Sequence, residues 1–132
     1  VPQSFKFQKG ERLKKRTVID RMFKREGHSF SVYPVRIVYL ETELDTNINF
    51  QFAFSVPKRQ FRKAVDRNRI RRKLFEAVRL HRAPLTALNW RESGKQCAVM
   101  LIYSGREEVA YTTLESCVEQ ALKKLSKRLK TT

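Results

Sequence analysis

The chain has 132 residues, 41% of them hydrophobic and 32% charged, and 29 basic against 13 acidic side chains give a formal net charge of +16. That balance excludes a disordered tail and fits a single domain, residues 1–132, large enough to bury a core. No apolar run approaches the ~18 residues of a helical membrane span, and Val1–Gly10 lacks the apolar segment of a signal peptide. Two cysteines, Cys97 and Cys117, without a C-x-x-C pair, predict reduced, buried thiols in a cytoplasmic protein.

In chain order, Val1–Gly10 reads as an extended basic arm carrying Phe5 and Phe7. A first helix is predicted over Thr17–Arg25, with Thr17 as N-cap, Ile19, Met22 and Phe23 as the apolar face, and Gly27 as the C-terminal cap. Tyr33–Glu41 alternates as a strand, and a short strand near His28–Val32 fits before it. The polar turn Glu43–Asn49 predicts a hairpin to the next strand, where Phe50, Phe52, Phe54 and Val56 share one face at period two. Pro57 ends that run, because it has no N–H to continue a ladder.

A basic loop, Lys58–Lys63, leads into a helix on which Ile70, Leu74, Ala77, Val78 and His81 recur at i, i+4, i+7, i+8 and i+11. Beyond it, 83–94 is a connection with Pro84 and the only tryptophan, Trp90. The continuous apolar run Cys97–Tyr103 predicts a strand buried on both faces. Thr112 and Glu115 form a capping box for a last helix with the stripe Leu114, Cys117, Val118, Ala121, Leu122, Leu125 and Leu129. The order is α-β-(β)-β-α-β-α, a mixed α+β sandwich of helices on one small sheet.

Charge is distributed unevenly along these elements. Residues 58–82 hold eleven basic and two acidic side chains, and residues 1–27 hold nine and three, while 28–110 outside the basic stretch nearly cancels. Arginines crowded on one short helix repel one another unless a polyanion lies alongside, so the pattern points to nucleic acid. Catalytic chemistry has no comparable signal. Two histidines, His28 in a loop and His81 on the packed stripe, do not make an acid–base pair, the carboxylates are scattered rather than clustered for a metal, and phosphate-cradling glycine loops are missing.

The run Phe54-Ser55-Val56-Pro57-Lys58-Arg59, followed by Lys63-Ala64-Val65-Asp66-Arg67-Asn68-Arg69-Ile70-Arg71-Arg72, resembles the signature of the bacterial ribonuclease P protein subunit. Glu11-Arg12-Leu13 upstream, Gly27, and the last strand and helix extend the resemblance over nearly the whole chain. It implies a two-layer α-β sandwich of order αβββαβα, with a small mixed sheet and a left-handed β-α-β crossover. Without it the default would be a right-handed one. It further implies a monomeric, cytoplasmic protein that joins ribonuclease P RNA in a ribonucleoprotein and binds precursor tRNA, whose 5′ leader the holoenzyme removes. Chemistry would belong to the RNA and its Mg²⁺ ions, with no catalytic residue and no intrinsic metal site in the protein.

The resemblance assigns Arg67, Asn68, Arg69, Arg71 and Arg72 to RNA contact, which suits arginine forks on phosphates; Lys58, Arg59 and Lys63 extend the patch. Phe23 and Ile19 on the first helix and Ser55 on the central strand would form a cleft for the single-stranded leader. Phe23 is equally placed to be core, and Ser55 to be a plain small strand residue. Three positions depart from the family pattern: Ile19 stands for a common aromatic, Phe75 for a usual basic residue, and Arg62 for a common glycine. An alternative is a non-catalytic ribosomal or RNA-assembly protein, which shares the basic helix but not the motif order. A helix-turn-helix DNA reader ranks below both, for want of a preceding short helix.

Overall fold

The computed structural model describes residues 9–24, 26–45, 47–88, 90 and 93–130. The expected arm over 1–10 lies outside them except for Lys9 and Gly10, which open a 3-10 turn, Lys9–Glu11. The elements that follow are α1 (Arg16–Met22), β1 (His28–Val32), β2 (Val35–Glu41), β3 (Phe50–Ser55), α2 (Ala64–His81), the single turn α3 (Ala83–Thr86), β4 (Cys97–Tyr103) and α4 (Tyr111–Lys130). None of the described helices is long and apolar enough to cross a membrane.

The sheet order is β1-β2-β4-β3. β1 and β2 form an antiparallel hairpin through Tyr33 and Pro34, joined by a cis peptide. β4 runs antiparallel to β2, from Val35 opposite Tyr103 to Glu41 opposite Cys97, and parallel to β3, from Phe50 beside Cys97 to Ser55 beside Ile102. The hairpin expected between β2 and β3 is therefore absent. β4 lies between them because its run is apolar on both faces, and only a central strand buries both. The polar stretch instead crosses the end of β4 and is pinned there by Gln96. Its side chain accepts from the Leu44 N–H at 2.8 Å and donates to the Ile48 carbonyl at 2.9 Å.

The two sheet faces carry two cores. On one, α2 and α4 pack Ile70, Leu74, Ala77, Val78, Leu114, Val118, Leu122 and Leu125 against Ile37, Phe52, Val99 and Leu101. On the other, α1 and Leu13 cover Val38, Leu40, Ala98 and Met100 with Val18 and Met22. Short α3 presses Leu85 into the first core, and Ser126 Oγ of α4 donates to the Pro84 carbonyl at 3.0 Å. Trp90 is buried and stacked on Phe50, with ring centroids 5.1 Å apart.

Several local expectations change. α1 starts one residue earlier than Thr17 and ends at Met22, with Lys15 as N-cap and Phe23 as C-cap. Gly27 does not cap it through a positive φ. Its role is close approach: a Cβ there would sit 1.9 Å from the Met22 carbonyl oxygen. α4 begins at Tyr111, so Thr112 lies inside the helix rather than at its cap, and Glu115 accepts from the Tyr111 hydroxyl at 3.2 Å. Cys97 is buried but Cys117 only half-buried, donating to the Tyr33 carbonyl at 3.5 Å.

Candidate nucleic-acid interface

The apolar stripe of α2 buries Ile70, Leu74, Ala77 and Val78 completely, which turns the remaining arc and its cations outward. The charged arc divides into flanks and a crest. Toward α4, Arg69 donates from Nε and Nη2 to the Glu108 carboxylate at 2.7–3.0 Å and from Nη2 to Asp66 at 2.9 Å. Lys73 Nζ lies 2.6 Å from the same Glu108 and donates to the Val109 carbonyl at 3.1 Å. Hydrogen bonding from Arg69 first, then the bond and charge of Lys73, hold the Glu108 carboxyl down at about 2. At the start of the helix, Arg67 Nη1 turns back to donate to the Phe61 and Arg62 carbonyls, both at 2.8 Å. Arg67 and Arg69 thus hold the basic loop and the loop before α4 in place.

The crest is different. Arg71 Nη2 donates to the Asn68 amide oxygen at 2.8 Å, a pairing within the helix that leaves Asn68 exposed. Arg72, one turn from Asn68, is exposed, as are Lys58, Arg59 and Lys63 of the preceding loop. The structure therefore brings the predicted contact residues onto the first turns of α2 and the loop before it, and separates those anchored within the fold from those directed to solvent.

The second candidate surface lies on the sheet face that carries α1. Register places Ser31, Arg36, Ile102 and Ser55 in one row across β1, β2, β4 and β3. The outer core under α1 is built from Val38, Leu40, Ala98 and Met100 of the neighbouring rows, with Ile19, Ala53 and Ile102 half-buried against it. Ile102, the register neighbour of Ser55, and Ile19 of α1 both pack at the edge of this covered area. Phe23, one turn beyond Ile19, is 53% exposed and belongs to neither core. Arg36, exposed in the same row and donating to Ser29 Oγ at 3.5 Å, was not singled out by the sequence reading. A lone arginine alternating with apolar residues on a strand was its only signal.

The histidines hold structural positions. His28 opens β1 rather than lying in a loop, and its ring sits 5.4 Å from Tyr39. His81 faces Glu115 and Glu119 of α4 at 3.2 and 3.7 Å. Carboxylates of the interface region are engaged by cations: Glu11 with Arg82, Glu76 with Arg79, Glu108 with Arg69 and Lys73. Among the described residues, no three His, Cys, Asp or Glu side chains are arranged so that they could hold a metal ion.

A protein-family model described as Ribonuclease P matches residues 7–126. The chain is 34% identical over 122 residues to the "Ribonuclease P protein component" of Porphyromonas gingivalis (strain ATCC 33277), covering 92% of this chain and 87% of that one. Among solved structures, the Staphylococcus aureus RNase P protein superposes with a TM-score of 0.66 at 23% identity, covering 89% of this chain and 96% of that chain. The RNase P protein from Thermotoga maritima gives 0.61 at 21% identity, covering 86% and 96%.

Proposed function

The chain belongs to the ribonuclease P protein family, the protein component of a tRNA-processing endoribonuclease, and from that premise we propose how its two surfaces divide the work. The crest of α2 with the 58–63 loop grips the catalytic RNA, and the uncovered row of the sheet with α1 receives the 5′ leader of precursor tRNA. One copy of the chain acts within a cytoplasmic ribonucleoprotein. The observation that carries this reading is the separation on α2 between anchored arginines and outward ones. Arg67 and Arg69 fix the loops at the head of the helix, so Arg72, Asn68, Lys58, Arg59 and Lys63 are presented from a rigid base. Preorganised cations exchange condensed counterions for fixed charge without first ordering their own backbone.

Leader binding follows from the row Ser31–Arg36–Ile102–Ser55. Small side chains let a nucleotide backbone approach the sheet, Arg36 offers phosphate recognition, and the exposed Phe23 ring offers a stacking surface that is tolerant of base identity. Mg²⁺ belongs to the RNA subunit in this reading, where it supplies Lewis-acid and nucleophile-generating chemistry. The carboxylates of the interface region fit such an ion poorly, because each named pair already spends its acid on an arginine or lysine. The protein's part is electrostatic and positional: its cations offset the repulsion between two polyanions, and the cleft orients the scissile end.

Reconstitution with a bacterial ribonuclease P RNA at low Mg²⁺ tests the proposal. The expected result is stimulated cleavage of precursor tRNA at the mature 5′ end, with a lowered Mg²⁺ requirement. Protein that changes neither rate, affinity nor Mg²⁺ requirement would overturn it.

A further inference from the structure

The segment before α1 runs alongside the free edge of β3. The Leu13 N–H donates to the Phe52 carbonyl at 2.8 Å, and Arg12 bridges Phe52 in parallel fashion. Leu13 enters the core beneath α1, while the Arg12 side chain goes to the other side of the edge, across to α2. There its guanidinium carbon lies over the Phe75 ring, 5.0 Å from the centroid, and Phe75 is braced edge-on by Phe54 at 5.9 Å. These residues, with Lys14, Arg71 and Arg72, line an open groove of about 400 Å³. Among the described residues no carboxylate pairs with Arg12, although Glu11 beside it pairs with Arg82.

We propose that this groove is a nucleotide-binding site, in which an unpaired base of the ribonuclease P RNA stacks on the Arg12 guanidinium and its flanking phosphates meet Lys14, Arg71 and Arg72. The physical case is the seating of Arg12. An arginine that served only as a phosphate contact would need no aromatic support, whereas a guanidinium held over a ring presents its other face as a flat, cationic platform. Unpaired RNA bases are recognised by such stacking on aromatic rings and arginine planes. The groove has the volume of a small-ligand site and three cations at its rim, which matches one nucleotide with the phosphates on either side. The RNA subunit is the occupant because Arg71 and Arg72 belong to the helix proposed to hold it, while the leader row faces the opposite side of the sheet. This inference rests on that reading of α2.

The test uses the full-length protein and an in-vitro-transcribed bacterial ribonuclease P RNA without tRNA. Arg12→Lys keeps the charge and removes the plane; Phe75→Leu keeps an apolar side chain and removes the seat. Each should weaken binding roughly tenfold, in line with loss of one stacked base. The double variant should be no worse than about the weaker single variant, because both changes remove one platform. All three should keep the parent's dependence on salt, since no charge is lost. Melting curves accompany the binding series, and Arg12→Lys at an exposed position carries the test if Phe75→Leu fails to fold. Parent-like affinity for Arg12→Lys, or losses that add fully in the double variant, would overturn the site. A companion series reads holoenzyme binding of leader-bearing precursor and of mature tRNA: variants that bind the RNA alone like the parent and lose affinity only for the precursor would move the occupant to the leader and overturn the proposal as stated. Failure of the parent protein itself to bind the RNA would overturn the functional reading and this inference together, and is distinct from a parent that binds with unchanged variants.

Discussion

At the scale of single residues, burial separates binding groups from framework. Phe23 is a large apolar side chain left 53% exposed at the end of α1, outside both cores. Phe23→Ala should therefore leave the melting curve almost unchanged and weaken holoenzyme binding of leader-bearing precursors by about 1–3 kcal/mol for each base it stacks. Mature tRNA is the control: equal weakening of both ligands would assign the ring to the fold. Gly27 is the converse case, a position set by packing. The methyl group of Gly27→Ala would meet the Met22 carbonyl oxygen at 1.9 Å, so the chain leaving α1 must shift. A loss of about 1–3 kcal/mol, typical of overpacking, is expected in urea denaturation; a midpoint equal to the parent's would mean the turn relaxes freely.

At the scale of elements, α2 is both a packed helix and a charged surface, and its arginines divide between the two. Replacing Lys58, Arg59 and Arg72 by Ala should flatten the log–log salt dependence of RNA binding by roughly two to three units with the fold intact. Arg67→Ala should lower stability as well, by about 1 kcal/mol, because it removes the hydrogen bonds to the part-buried Phe61 carbonyl and the exposed Arg62 carbonyl. A salt series run beside thermal melts distinguishes the two classes, and a triple variant with the parent slope would place RNA contact elsewhere. The loop before α4 adds a pH signature. The Glu108 carboxyl is held at about 2, against an ordinary 4.5, chiefly by its bonds from Arg69. A depressed acid stabilises the fold fully above its unfolded-state value, and that contribution disappears as pH falls through the folded value. Glu108→Gln should thus cost about 1–2 kcal/mol near pH 6, with the gap to the parent closing between about 4.5 and 2. A gap constant across that window in denaturation curves would show that the ion pairs contribute nothing.

At the scale of the whole molecule, β4 is the strand around which both cores assemble, paired to β2 and β3 and covered on both faces. Its first residue reports on that burial. Desolvation pushes the Cys97 thiol up to about 12, so the reactive thiolate is scarce at neutral pH. In native protein a thiol reagent should label Cys117 and leave Cys97 untouched until the sheet opens. Cys97 labelling at the rate of Cys117, well below the melting transition, would show that β4 is not the stable centre.

The α2 stripe was legible from spacing alone, because a 3.6-residue period is a local property and Ile70, Leu74, Ala77 and Val78 repeat it without interruption. The same holds for β4, whose unbroken apolar run announces burial on both faces, and for the family, whose motif is two neighbouring runs from the end of β3 to the first turns of α2. Strand order was not legible in this way. The polar stretch 43–49 has hairpin composition, yet β4, more than forty residues downstream, takes the place beside β2, since pairing partners are chosen by burial across the whole sheet rather than by the nearest turn. The division of the cations had no local signal either. Arg67, Arg69 and Arg72 are the same residue type on one helix, and what separates them is the chain brought alongside: the 61–62 carbonyls for the first, Glu108 for the second, and an open crest for the third. Charge counts along a sequence give the sign and size of the field, while the fate of each charge depends on contacts that tertiary packing alone creates.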